Sequence, residues 1–244
     1  MLFSVQAVEE QAHGPTPTAE IFFHFGPIPV SETIFSAWIV MAVLLLFSLA
    51  ATRNMKLVPT GVQNVAELII ELWLGIIQQV AGPKGRRFLP VVCTAFLFIL
   101  FSNWIGTLPM FGNVRGFRSA NSDLNVTASM AIIVFILFQA YGIKSAGILG
   151  YLKEFLIPNP LHILTELSRP LSLAFRLFGN IFAGEVLLHT ILGIAPYALF
   201  LFLGLELFVG IVQALIFSML TLVFLAIATA HERAAHEEEA SASH

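Results

Sequence analysis

The sequence predicts an all-α, polytopic integral membrane protein, and three observations carry that reading. Of 244 residues, 57% are hydrophobic and 11% charged, with a mean hydropathy of +0.87, a balance typical of chains embedded in lipid. The 12 Lys and Arg and the 15 Asp and Glu are unevenly spread, and residues 33–52, 88–114, 124–143 and 207–230 contain none of them. Each of these runs is long enough to cross ~30 Å of hydrocarbon at ~1.5 Å per residue. Finally, the single cysteine, Cys93, lies inside an apolar run, which excludes a disulfide framework.

Residues 1–32 are polar and carry Gly14, Pro15, Pro17, Pro27 and Pro29, so they are expected to form a mostly irregular external arm. The single membrane domain, 33–244, opens with a first span over 33–52. Residues 60–80 then place Gln63, Glu67 and Glu71 on one helical face, with Val62, Val65, Ile69, Leu72, Trp73 and Ile76 on another. Two glutamates suit an interfacial amphipathic helix better than a span. The second and third spans are 88–110 and 124–143, the latter capped by Ser122 or Asp123. Residues 160–193 and 198–230 form a hairpin of two long helices joined through Gly193 to Pro196. Both exceed the hydrocarbon thickness, so they must tilt or protrude. Residues 231–244 form an acidic tail.

Orientation follows from the basic residues. With the arm outside, the inner segments hold Arg53, Lys56, Lys84, Arg86, Arg87, Lys144, Lys153 and Arg233, while the outer ones hold Arg115 and Arg118. Basic residues favour the cytoplasmic side. The C-terminus is therefore expected in the cytoplasm and the N-terminus outside.

The hairpin also holds the residues that resist a merely structural explanation. Arg176 sits in an apolar stretch, where an arginine costs about 2.5–3.5 kcal/mol on insertion scales and cannot escape by losing its charge. In an antiparallel pair, residues at one depth share a near-constant sum of their numbers, which sets Arg176 level with Gln213 and Glu185 level with Glu206. His189 lies one turn beyond Glu185, and Asn180 one turn beyond Arg176. Toward the cytoplasm, Ser172, Arg169, Glu166, Thr165 and His162 continue the polar series. Ser172 and Asn180 are equally suited to hydrogen-bonding neighbouring helices, Glu166 and Arg169 to a local ion pair, and His162 to a helix entrance.

Ionisable groups at membrane depth mark an ion or proton path. Two neighbouring carboxylates can share and exchange a proton. A fixed guanidinium, by contrast, attracts an approaching carboxylate by about 4 kcal/mol at ~4 Å and an effective dielectric of ~20, and so favours release of its proton. A polar ladder interrupted by such a cation amounts to two half-paths, and a carboxylate supplied by a partner must ferry the proton between them. Two other classes fit the residues less well. A proton-coupled secondary transporter calls for paired broken-helix repeats, and residues 33–143 hold no counterpart of 160–193. A haem-bearing subunit needs axial ligands, and His162 and His189 lie far apart on one helix. No cofactor, metal or nucleic-acid partner is expected.

The segments R-P-L-S-L-A-F-R-L-F-G-N-I-F-A-G-E and L-E-L-F-V-G-I-V-Q-A-L-I-F-S-M-L-T, with A-T-R-N-M-K-L-V-P-T-G-V-Q-N and S-D-L-N-V-T, resemble the a subunit of the F-type ATP synthase membrane sector. The resemblance covers most of the chain. It implies a non-catalytic, proton-conducting stator of a bacterial inner membrane, working against a ring of c subunits and held with the b subunits of the peripheral stalk and the rest of the complex. It further implies that Arg176 is the essential arginine, Gln213 the glutamine facing it and Asn180 the motif asparagine. Glu185 and Glu206 match the outer proton path, where family members often pair one Glu with one His. By the same likeness Asp123 matches an acidic position at the outer vestibule, and Ser172 and Glu166 belong to the inner side. His189 is expected to join the outer set.

Overall fold

The computed structural model describes residues 21–25, 28–53, 55–107, 118–156 and 161–229. Six helices are long and apolar enough to cross a membrane by length and composition. They are α1 (Glu32–Thr52), α2 (Val62–Ala81), α3 (Leu89–Thr107), α4 (Leu124–Leu156), α5 (Leu161–Ile194) and α6 (Leu199–Ala228). Turns of 3-10 helix at Pro83–Phe88 and Pro196–Ala198 lead into α3 and α6. The expected spans and the helix over 60–80 thus all appear as helices. The acidic tail and residues 108–110 of the second span lie outside the described residues, as do the first twenty residues of the arm.

The end of the arm differs from its expectation. A two-stranded antiparallel sheet, β1 (Ile21–Phe25) and β2 (Ile28–Ser31), pairs Phe23 with Val30 and Phe25 with Ile28, with an irregularity between Ile21 and Phe23. Pro29 argues against a central strand, but an isolated ribbon has only edges, where proline is tolerated. Ser31 then ends the strand and begins α1. Its hydroxyl accepts the N–H of Ile34 at 3.4 Å, satisfying one of the free donors of the first helical turn.

The third span is longer than expected, since helical backbone continues to Leu156. Gly147, at φ 72° and ψ 158°, breaks it, and only glycine takes such a backbone without strain. The stretch apolar enough to span ends at Ser145, close to the expected boundary. Beyond it, Lys153 and Glu154 mark a polar continuation.

The chain divides into two compact units. The first draws on residues up to 42, 99–127 and 175–213; the second on 43–98, 128–174 and 214 onward. The second unit has an apolar core of Trp73, Ile77 and Ala81 from α2, Phe88 and Val92, and Leu222, Leu225 and Ala226 from α6. Trp73 meets Phe96 edge-on at 5.4 Å, and Phe88 meets Tyr141 at 5.2 Å, the geometry favoured by aromatic quadrupoles.

This core takes one stripe of α2. Its buried stripe is Gln63, Trp73, Ile77 and Ala81, whereas Val62, Val65 and Leu72 of the expected apolar face are exposed. Gln63 turns inward because its amide clamps the backbone of Lys56. Its Oε1 accepts the Lys56 N–H at 3.0 Å, and its Nε2 donates to the Lys56 carbonyl at 2.9 Å and to Glu67 at 2.7 Å. The unsatisfied backbone of a turn outweighs the helical period here.

Candidate functional site

Most of the predicted site residues fall in the first unit, where α5 and α6 run antiparallel through residues 175–194 and 199–213. Glu206 is the one charge on α6, and it is only 9% exposed. It faces Gly184 of α5 so closely that a Cβ added there would run into its carboxylate. Glycine at 184 is therefore what allows Glu206 to lie against α5. This contact fixes the register of the hairpin within one residue of the pairing expected from the sequence. Glu185 stands next to Gly184, beside the place where the Glu206 carboxylate packs on α5.

The sequence reading missed the partner of Glu185. The Nε of Arg118 lies 2.8 Å from its Oε1 and 3.1 Å from its Oε2, with the two side chains 13% and 31% exposed. Charge-assisted contacts of this length are the strong ones. Arg118 figured in the sequence only as a vote on orientation, and an ion pair between a loop and a distant helix leaves no periodic trace.

Below this cluster, α6 packs against a buried amide network. Asn103 of α3 donates to the carbonyl of Gly210 at 3.1 Å, between Glu206 and Gln213 along α6. Asn121 donates to Asn103 Oδ1 at 2.7 Å and to the Ile99 carbonyl at 3.3 Å. Ser119 donates to the Ser102 carbonyl at 3.1 Å. A polar side chain inside an apolar span was the available signal for Asn103, since such groups must find partners at membrane depth.

Asp123 behaves as the cap that the sequence expected. It is 4% exposed; its Oδ1 accepts the Asn125 N–H at 2.8 Å and its Oδ2 the Thr33 hydroxyl at 2.8 Å. Thr33 shares a 2.9 Å contact with Ser31, so this carboxylate ties the start of α4 to the start of α1.

Arg176 is placed differently from everything so far. It is exposed, on a stripe of α5 that also shows Asn180, Ala183 and Leu187. Among the described residues its guanidinium has no hydrogen-bond, ion-pair or ring partner. Gln213 is 8% exposed, on the buried side of α6. Arg176 and Gln213 share a level but no hydrogen bond, so the expected meeting of cation and amide does not occur within the chain. His189, one turn beyond Glu185, and Ser172 are both exposed. The side chains of Glu166 and His162 lie outside the described part.

Comparison with known proteins bears on this arrangement. The sequence profile of the ATP synthase A chain family matches residues 34–226. The chain is similar to ATP synthase subunit a of Moorella thermoacetica, at 36% identity over 84% of this chain and 93% of that protein. It is 37% identical to ATP synthase subunit a of Campylobacter jejuni subsp. doylei, over 95% of this chain and 98% of that protein. A second subunit a from a Bradyrhizobium strain is 35% identical over 86% and 94%. With a profile match across most of its length, near full-length relatives and six long apolar helices, the chain is an all-α, multi-pass membrane protein that belongs to the ATP synthase A chain family.

Proposed function

We propose that this chain, as the proton-translocating stator subunit of an ATP synthase, forms two offset half-paths that load and unload carboxylates on a rotating c-ring. The observation that carries the reading is Arg176, a permanent cation on an apolar helix, exposed and without a partner among the described residues. A guanidinium in that position can be met by an anion brought from outside the chain, which offsets the cost of an unpaired charge in an apolar setting. An acidic residue on a passing rotor subunit supplies that anion and gives up its proton on meeting it. The outer path would run past Asp123, His189, Glu185 and Glu206 toward Asn180 and Gln213, and the inner path past Ser172 and Glu166. Residues 33–244 act as one membrane domain, with 1–32 as an external arm and 231–244 as a cytoplasmic tail. In this reading α2 lies at the interface, its exposed Val62, Val65 and Leu72 in lipid, and the other five long helices span a bacterial inner membrane. The b subunits of the peripheral stalk hold the chain against rotation, and ATP chemistry takes place elsewhere in the complex. Each proton crossing gains about 2.3 kcal/mol per 100 mV. A proton-coupled secondary transporter is the less favoured alternative, since the chain has no repeat pair and its relatives are ATP synthase subunits.

The test is ATP-driven acidification of inverted membrane vesicles. Arg176→Ala is expected to abolish it in assembled complexes, and Arg176→Lys largely so, because a compact ammonium lacks the planar fork. Vesicles carrying Arg176→Ala that still acidify would overturn the proposal.

A further inference from the structure

The geometry around Glu185 points to a positioning residue beyond the expected set, and this inference rests on the proton-path reading above. We infer that Arg118 divides the labour between the two carboxylates: by neutralising Glu185 it leaves Glu206 free to take and pass the proton. Three observations combine. The Arg118 Nε bridges both oxygens of Glu185, at 2.8 and 3.1 Å. Glu185 directly follows Gly184, the residue on which the Glu206 carboxylate packs. Glu206 is held in place by its packing on Gly184 and is nearly buried.

Two uncompensated carboxylates in an apolar setting share one proton and keep it, because like charges at close range cannot both ionise. A proton held that way does not move on. The guanidinium changes the count of charge, since Arg118 and Glu185 together are neutral. Glu206 then alternates between acid and carboxylate without facing an unpaired negative neighbour. In the transfer, Glu206 accepts a proton from water on one side and returns it to the next acceptor along the path, while Glu185 stays paired throughout.

The test is passive proton flux through membranes stripped of the soluble ATPase head, normalised to assembled complex, with Arg176→Ala as control. Arg118→Gln should lower flux about tenfold, and Arg118→Lys should keep at least about a third of it, since the charge is retained. The decisive variant is Arg118→Gln with Glu185→Gln, which removes cation and anion together. It should conduct at least about threefold better than Arg118→Gln alone, which loss of a merely structural contact would not do. Full flux in Arg118→Gln, or equally low flux in the single and double variants, would overturn the inference. If Arg118→Gln does not assemble, the exchange Arg118→Glu with Glu185→Arg decides: regained assembly and flux support the pair, and continued loss refutes it. Failure of the Arg176→Ala control alone would count against the proton-path reading instead.

Discussion

Arg169 and Arg176 are seven residues apart on the same helix, yet the chain treats them in opposite ways. In the second unit, Arg169 lies over the rings of Phe138 and Phe224, 5.4 and 5.5 Å from their centres. Arg87 is handled likewise, over Phe88 and Tyr141 at 5.2 and 5.6 Å. Aromatic faces attract cations and stabilise them where water is scarce. In the first unit, Arg176 has no ring contact and no ion pair among the described residues. The same side chain is thus made inert in one place and left available in the other. A charge on an apolar helix of this protein indicates function only where the fold has withheld the means of neutralising it.

Substitution at the two positions offers the sharpest break. Arg176→Ala should reduce ATP-driven pumping by at least about 100-fold. Arg169→Leu, which keeps an apolar body between Phe138 and Phe224, should leave pumping per assembled complex within about threefold of the unmodified protein. Its cost should instead appear as less assembled complex after mild heating, on the scale of a lost cation–π pair, about 1–2 kcal/mol. Equal loss of pumping in both variants would remove the distinction between the two regions.

A second comparison sets glycine against glycine. Gly85 in the second unit packs on Ala81 and Ile77, and an added methyl would clash with apolar side chains. Gly184 in the first unit packs on the Glu206 carboxylate. Gly85→Ala should therefore destabilise by about 1–3 kcal/mol, as overpacking does, with flux per complex unchanged. Gly184→Ala should displace Glu206 and lower passive proton flux about tenfold, since small misplacements of a reacting group are costly, while assembly is retained. If Gly184→Ala conducts normally, Glu206 does not require the seat that α5 gives it.

What could be read from the sequence follows the same divide. Spans, breaks and the hairpin register that sets Glu206 level with Gly184 and Glu185 were legible, because charge-free length and helical rise are local properties of the chain. Asp123 as a cap was legible for the same reason. The Arg118–Glu185 pair, the seat of Glu206 on Gly184 and the bond from Asn103 to Gly210 were not, as each joins separate elements. Gln63 shows a subtler limit. Its helical period is correct, but the amide is claimed by the backbone of Lys56, a demand that periodicity does not register. The prolines of the arm suggest irregularity, yet Pro29 sits in an antiparallel ribbon, paired with His24.

The smallest expected effect concerns Asp123, whose part in the outer path and whose part in the fold make different predictions. Its Oδ1 caps α4 through Asn125, and its Oδ2 takes the Thr33 hydroxyl. Thr33→Val keeps the shape and removes the donor, leaving one buried carboxylate oxygen short of a partner at a cost of about 1–3 kcal/mol. If the carboxylate serves mainly to join α1 to α4, the loss should appear in the thermal stability of the assembled complex, with proton flux within about twofold of the starting protein. If Thr33 also orients Asp123 as a proton acceptor, flux should fall with stability unchanged at the assay temperature. The first outcome is expected, because both oxygens are already engaged and the residue is only 4% exposed. Asp123 then borders the outer path as the tie between α1 and α4, whereas Glu206, packed on Gly184 and without a hydrogen-bond partner among the described residues, is the group placed to carry the transfer.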